Sequence, residues 1–269
     1  MRAAFIERHG GPEVLKFGEM PDPVAASGEV VVDIVAASVN GADWKVREGK
    51  SGQLSRFPYI LGRDFSGVVA TVGEGVRDLC VGDEVFGVCD VGQEGAYAEK
   101  IAIKAAIVAR KPDRLSHVDA AALALAGLTA ICTIEDTLKL KADETILIQG
   151  GAGGVASFAI QLAKHLGARV ITTASASNHD YLRKIGADEI IDYNAVDFTK
   201  VVSDCDAASI PSAEMSRSDR SRCSNQAAGR PLLPLEHRHQ SRTAAMSLLC
   251  GPASDVIGNI SSASWRWLR

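Results

Sequence analysis

The residues with the most chemical meaning lie mid-chain: Gly151-Ala152-Gly153-Gly154-Val155-Ala156, a G-x-G-x-x-A run. They follow a β-branched stretch, Thr145-Ile146-Leu147-Ile148-Gln149, and open an amphipathic stretch that ends at Leu166. Glycines let a backbone turn tightly and approach a pyrophosphate closely, and the start of a helix presents unpaired N–H groups to that anion. A small residue at the third position, Ala156, lets the helix pack on the strand before it. In a strand-turn-helix-strand context the run predicts a dinucleotide site. The end of the second strand chooses the nucleotide. An acid there would accept hydrogen bonds from a ribose 2′-OH, whereas this chain has Ala174-Ser175-Ala176-Ser177-Asn178-His179. Hydroxyls, an imidazole and Arg183 one turn later suit a 2′-phosphate. The expected cofactor is NADP(H), with Ser175 as its main contact and Ser177 equally suited to capping the next helix.

Other reactive side chains are scattered. Six cysteines (Cys80, Cys89, Cys132, Cys205, Cys223 and Cys250) form no C-x-x-C pair, and none has a histidine at metal-ligand spacing. No metal site is expected. A net charge of -4 gives no reason to expect nucleic acid or an anionic membrane as partner. The N-terminal octet Met1-Arg2-Ala3-Ala4-Phe5-Ile6-Glu7-Arg8 is charged too early for a signal peptide, and with its single thiols the chain is expected to be cytoplasmic.

The elements that must carry these residues fall into three regions. The first hundred residues predict short Val- and Ile-rich strands over 3–6, 15–19, 29–37, 67–72, 84–88 and 97–103. Turns such as Gly10-Gly11-Pro12 and Gly82-Asp83 separate them, which suits a small β-rich barrel or sandwich. Ser116 with Asp119 predicts a helix start. The apolar stretch 120–134 falls short of the roughly 20 residues a bilayer span needs and reads as a buried helix. Strands over 144–149, 169–174 and 189–191 then alternate with helices over 155–166 and 178–185, which predicts an α/β region with a parallel sheet. Beyond Lys200 lysine disappears, and Ser216-Arg217-Ser218-Asp219-Arg220-Ser221-Arg222 typifies the composition. No period persists there. Ala207-Ala208-Ser209-Ile210-Pro211-Ser212 lacks the apolar run of a central strand, so the sheet is expected to stop after its third strand. Such a tail fits a solvated segment or translation in a shifted frame, which sequencing of the coding DNA distinguishes. The expected divisions are 1–112, 113–206 and a poorly ordered tail, 207–269.

Three phrases carry a resemblance. They are Ala36-Ala37-Ser38-Val39-Asn40-Gly41-Ala42-Asp43-Trp44-Lys45, Leu61-Gly62-Arg63-Asp64-Phe65-Ser66-Gly67-Val68-Val69 and Val81-Gly82-Asp83-Glu84-Val85-Phe86-Gly87. With the glycine run continuing into Ala159-Ile160-Gln161-Leu162-Ala163-Lys164, residues 1–206 resemble the medium-chain dehydrogenase/reductase superfamily. Within it they are similar to the zinc-independent quinone oxidoreductase (zeta-crystallin-like) branch. The resemblance implies a GroES-like β-rich barrel followed by a Rossmann-type domain, here incomplete. The competitor is the zinc-type alcohol dehydrogenase, which needs a cysteine within Val39–Asp43 and a histidine at Arg63. A guanidinium has no lone pair to give Zn²⁺.

The activity implied is hydride transfer from NADPH to a quinone or α,β-unsaturated carbonyl, whose own π-system spreads the developing charge. By the same resemblance Asn40 and Lys45 face nicotinamide and substrate, and Thr129 contacts the nicotinamide end. Gly154 and Val155 meet the pyrophosphate, Tyr193 lies near the 2′-phosphate, and family members pair as homodimers through the nucleotide sheet. Each residue also has a plainer reading: Asn40 as a turn residue, Lys45 as a solvated charge, Thr129 as helix packing, Tyr193 as a cover on the sheet edge. Arg63 and Asp64 are expected to form a structural ion pair or loop brace. The alternative function is a truncated, inactive relative that keeps a partial nucleotide-binding module.

Overall fold

Alternation of Val and Ile with polar residues gives the first unit its strands, because successive side chains point to opposite faces. The computed structural model describes residues 1–90 and 92–209 of the chain. The described residues form two compact units, Met1–Leu125 and 126–209. In the first, β1 (Arg2–Ile6), β2 (Leu15–Glu19) and β3 (Glu29–Ala37) precede the helix α1 (Gly41–Arg47). Then come β4 (Tyr59–Ile60), β5 (Asp64–Val72), β6 (Glu84–Val88), β7 (Lys100–Lys104) and β8 (Val108–Arg110). They build a three-stranded sheet in the order β2-β1-β4 and a five-stranded antiparallel sheet in the order β7-β3-β5-β6-β8. Val30, Val32, Phe65, Val69 and Val85 are all buried in the larger core. A strand was expected over 97–103. It starts only at Lys100, because Tyr97 and Ala98 pair with β1 instead: Ala4 N–H donates to Tyr97 O at 2.7 Å, and Ala3 bridges Ala98.

The helix α2 (His117–Ile131) crosses the boundary between the units and runs into a π-helical turn, Cys132–Thr137. Its start is as expected: Ser116 Oγ accepts from Asp119 N–H at 3.1 Å and donates to Asp119 Oδ2 at 2.6 Å. The whole helical stretch His117–Thr137 has 21 residues, so it is longer than expected and passes the length and composition test for a membrane span. Half of its most apolar stretch is buried, with Ala120, Leu123, Ala124, Leu128 and Ile134 inside the fold. This is the packing of a core helix.

The second unit contains β9 (Thr145–Ile148), α3 (Gly154–His165), β10 (Arg169–Ala174), α4 (His179–Lys184), β11 (Glu189–Asp192), α5 (Phe198–Val201) and β12 (Ala207–Ser209). All its strands are parallel, in the order β11-β10-β9-β12. Both faces of the sheet are covered, as parallel sheets require. Ile146, Ile148, Val170 and Ile160 share one core, whereas Leu147, Ile171, Ile191 and Ala208 share the other.

The fourth strand corrects the expectation that the sheet stops at its third. Ala207, Ala208 and Ser209 pair with Ile146, Leu147 and Ile148, and all three are buried. Asp206 locks the entry, since its Oδ2 accepts from Thr145 N–H at 2.8 Å while its own N–H donates to Thr145 O at 2.9 Å. Small residues suffice because the strongly apolar β9 supplies the partner. The tail expected from 207 lies, from 210 onward, outside the described residues.

Candidate functional site

In the second unit the chain leaves the middle of the sheet to either side: β10 and β11 lie on one flank of β9 and β12 on the other. Such a reversal opens a crevice outside the carboxyl ends of the strands, where open α/β sheets take ligands. The glycine run occupies that place. Gly150 turns the chain at φ +66, and Gly153 is the N-cap of α3. A methyl group on Gly151 would lie 2.2 Å from Thr172 Oγ1, so only glycine lets the loop close on β10. Gly154 faces open space, with nothing within 4 Å of an added Cβ. The first turn of α3 carries no acid to neutralise its positive end. Ala156, 1% exposed, packs into the core as the motif requires. These residues fit a pyrophosphate.

Three hydroxyls pin the turn, and the motif alone did not single them out. Ser157 Oγ lies 3.1 Å from Gly151 O and 2.9 Å from Gly153 O, Thr173 Oγ1 accepts from Gly150 N–H at 3.1 Å, and Thr172 Oγ1 donates to Ile148 O at 2.6 Å. Two threonines ending the second strand are the signal for them.

Ser175 and Tyr193 follow the ends of β10 and β11, so they share the carboxyl edge of the sheet with the glycine turn. Ser175 Oγ accepts from Asn178 Nδ2 at 3.0 Å and sits 3.2 Å from Ser177 Oγ, leaving a small hydroxyl cluster with no carboxylate in it. Tyr193 is exposed. Arg183 pairs with Asp180 at 2.7 Å on the surface. Thr129 lies in α2, half-buried, and its carbonyl accepts from Thr133 Oγ1 at 2.8 Å.

In the first unit, Asn40 and Lys45 belong to one short helix. Asn40 is the N-cap of α1 and forms a capping box with Asp43, whose Oδ2 accepts from Asn40 N–H at 2.7 Å. Asn40 Nδ2 donates to Ser38 Oγ at 3.1 Å and to Asp64 Oδ1 at 2.8 Å. Asp64 is fully buried, and its Oδ1 also accepts from Ser38 Oγ at 2.7 Å while its Oδ2 accepts from Leu125 N–H at 3.1 Å. Burial pushes its carboxyl up to about 6, against the pull of those hydrogen bonds. The ammonium of Lys45 lies 5.6 Å from the Trp44 ring centroid.

The pairing expected between Arg63 and Asp64 is corrected. Arg63 Nε lies 3.8 Å from Glu94 Oε1 and its Nη2 donates to Cys89 O at 3.2 Å. Arg63 lies in the bend before β5 and is held by Glu94 and Cys89, while Asp64, the first residue of the strand, turns to Ser38, Asn40 and Leu125. Tyr59 donates to Glu94, and Tyr97 donates to Asp43 Oδ2 at 2.7 Å. Burial raises both phenols, and it also raises Asp43 and pushes the Cys89 thiol up to about 12. Among the described residues no group of three His, Cys, Asp or Glu side chains is placed to hold a metal ion.

Comparison with known proteins adds the following. The alcohol dehydrogenase GroES-like domain family matches residues 26–113, and the zinc-binding dehydrogenase family matches residues 154–207, which begin at the first residue of α3. The chloroplast envelope quinone oxidoreductase homolog of Arabidopsis thaliana is 35% identical over 191 residues, covering 68% of this chain and 58% of that one. The chloroplastic NADPH-dependent alkenal/one oxidoreductase of the same plant is 38% identical over 203 residues, covering 72% and 52%. The solved quinone oxidoreductase of Coxiella burnetii is 30% identical, with a TM-score of 0.81, covering 95% of this chain and 88% of that one. The chain spans about three-fifths of the length of the curated relatives it matches. Its fold agrees with these matches. The chain belongs to the medium-chain dehydrogenase/reductase superfamily, in its zinc-independent quinone oxidoreductase branch.

Proposed function

We propose that this chain binds NADP(H) and reduces a quinone or an α,β-unsaturated carbonyl. The observation that carries the reading is the glycine turn at the strand-order reversal, with an acid-free hydroxyl cluster beside it. When bound, NADPH supplies a hydride. The N–H groups opening α3 at Gly154 and Val155 hold its pyrophosphate, with Gly151 and Gly153 shaping the turn. Ser175 and Tyr193 meet the adenosine end, where the cluster of Ser175, Ser177 and Asn178 contains no carboxylate. Relatives support the substrate class, one named for quinones and one for alkenals and enones with NADPH.

Thr129 contacts the nicotinamide end, and Lys45 and Asn40 serve the acceptor. Reduction of an enone leaves negative charge on its oxygen, and an ammonium donor such as Lys45 stabilises that charge until solvent protonates the carbon. Arg63, always protonated and without a lone pair, replaces the ligand a zinc ion would need. A reducing compartment such as the cytoplasm suits the free thiols Cys80, Cys89 and Cys205.

The test is direct. Purified protein is mixed with NADPH and a simple quinone, and loss of nicotinamide absorbance is followed. Turnover that needs both reactants supports the proposal. Tight NADPH binding without turnover for any quinone or enone supports the inactive-relative reading instead.

A further inference from the structure

We propose that Asp64 is a positioning residue: with Ser38 it holds the Asn40 carboxamide in one orientation, Nδ2 turned into the fold, so that Asn40 meets a ligand only as a hydrogen-bond acceptor. The inference rests on Asn40 serving the acceptor site, and it changes what Asn40 does there.

A carboxylate accepts hydrogen bonds and donates none, so the amide group turned toward Asp64 must be the NH₂. That group has two hydrogens. One goes to Asp64 Oδ1 at 2.8 Å and the other to Ser38 Oγ at 3.1 Å, while Ser38 spends its own hydrogen on the same Asp64 oxygen at 2.7 Å. The triangle closes, and its direction is set by the one member that cannot donate. In the capping box Asn40 Oδ1 faces the Asp43 backbone N–H at the first turn of α1, and since a carbonyl oxygen has two lone pairs, one is left for a ligand. Asn40 therefore suits a donor on the ligand: the O–H of a hydroquinone, a ribose hydroxyl or a carboxamide N–H. It does not suit the developing oxyanion, which is left to Lys45.

The orientation depends on Asp64 being ionised. Around it stand Asp43, which raises its pKa by repulsion, the phenol of Tyr97, the thiol of Cys89 and the Leu125 N–H from α2, whereas neighbouring Arg63 is directed to Glu94 and Cys89. Once protonated, Asp64 becomes a donor and the amide loses its reason to face inward.

The experiment has one arm that needs no turnover. In ¹⁵N-labelled full-length chain, the Asn40 side-chain NH₂, identified by its loss in Asn40→Ser, should exchange with solvent about tenfold or more slower than exposed asparagine amides. Asp64→Asn should remove most of that protection. The second arm is a double-mutant cycle with NADPH and a quinone. Asp64→Asn and Asn40→Ala should each lower kcat/KM about tenfold, the size of one charge-assisted hydrogen bond, and the double variant should be no worse than Asn40→Ala. The kcat/KM of the parent should fall as pH drops through about 6, and Asp64→Asn should lose that limb. Unprotected Asn40 hydrogens overturn the inference whatever the enzyme does, as do additive losses in the cycle. Protected hydrogens in a chain that never turns over support the Asp64–Ser38–Asn40 arrangement and reject the proposed activity.

Discussion

Tyr97 donates its phenolic O–H to Asp43 at 2.7 Å, where the carboxylate is 4% exposed and its other oxygen, Oδ1, has no hydrogen-bond partner among the described residues. A buried acceptor that loses a partner costs about 1–3 kcal/mol. Tyr97→Phe should destabilise the first unit by that amount in urea titrations, with little change in the slope. Unchanged stability would mean that the Asn40 N–H, 2.7 Å from the same oxygen, satisfies it alone.

The sign of the Asp64 titration can be worked out. Its pKa in the fold, about 6, lies above the ordinary value of 3.8. Between those values the unfolded chain is ionised and the folded chain is not, so stability falls as pH rises from about 4 to about 6. The gap corresponds to roughly 3 kcal/mol. Asp64→Asn should remove the Asp64 part of this slope, leaving the contribution of Asp43, which is raised in the same direction. Chemical denaturation at several pH values measures it.

Two glycines of the turn should respond in opposite ways. Gly151→Ala drives a methyl group into Thr172 Oγ1, 2.2 Å away, and should cost about 1–3 kcal/mol of stability. Gly154→Asp meets no atoms and places an acid at a helix N-terminus, which should stabilise by about 0.3–1 kcal/mol. The same acid repels a pyrophosphate, so NADPH affinity should fall more than about tenfold. Melting curves and fluorescence titration separate the two effects.

Ser175→Asp should install the acid that the second strand lacks. NADPH affinity should drop roughly ten- to thirtyfold through repulsion of the 2′-phosphate, while NADH affinity holds or improves. Equal losses for both nucleotides would detach Ser175 from the 2′ position.

Thiol labelling checks the electrostatics of the first unit. Cys80 is exposed, whereas Cys89 is buried with its thiol pushed up to about 12. Iodoacetamide at pH 8 should alkylate the Cys80 peptide and leave the Cys89 peptide intact until denaturant is added. Mass spectrometry of the digest reads both.

The glycine turn was legible because its requirements are local: a strand, a glycine run and a helix follow one another within 25 residues of sequence, Thr145 to Arg169. Most strands of the first unit were legible from alternation. The helix α1 was not, since Gly41–Arg47 buries only Asp43 and Val46 and shows no apolar period. Strand β12 was missed because its three small residues gain their place from β9. The contacts of Asp64 with Ser38, Asn40 and Leu125 span 24 to 61 positions of sequence, so no local pattern could bring them together.

The hydroxyl bonds of Ser157, Thr172 and Thr173 around the glycines have a consequence for kinetics. A loop already held in its binding shape loses little conformational entropy on capture, so nucleotide association should approach the encounter rate. Variants such as Thr173→Val would then slow arrival as well as hasten departure, and stopped-flow traces could tell those halves apart.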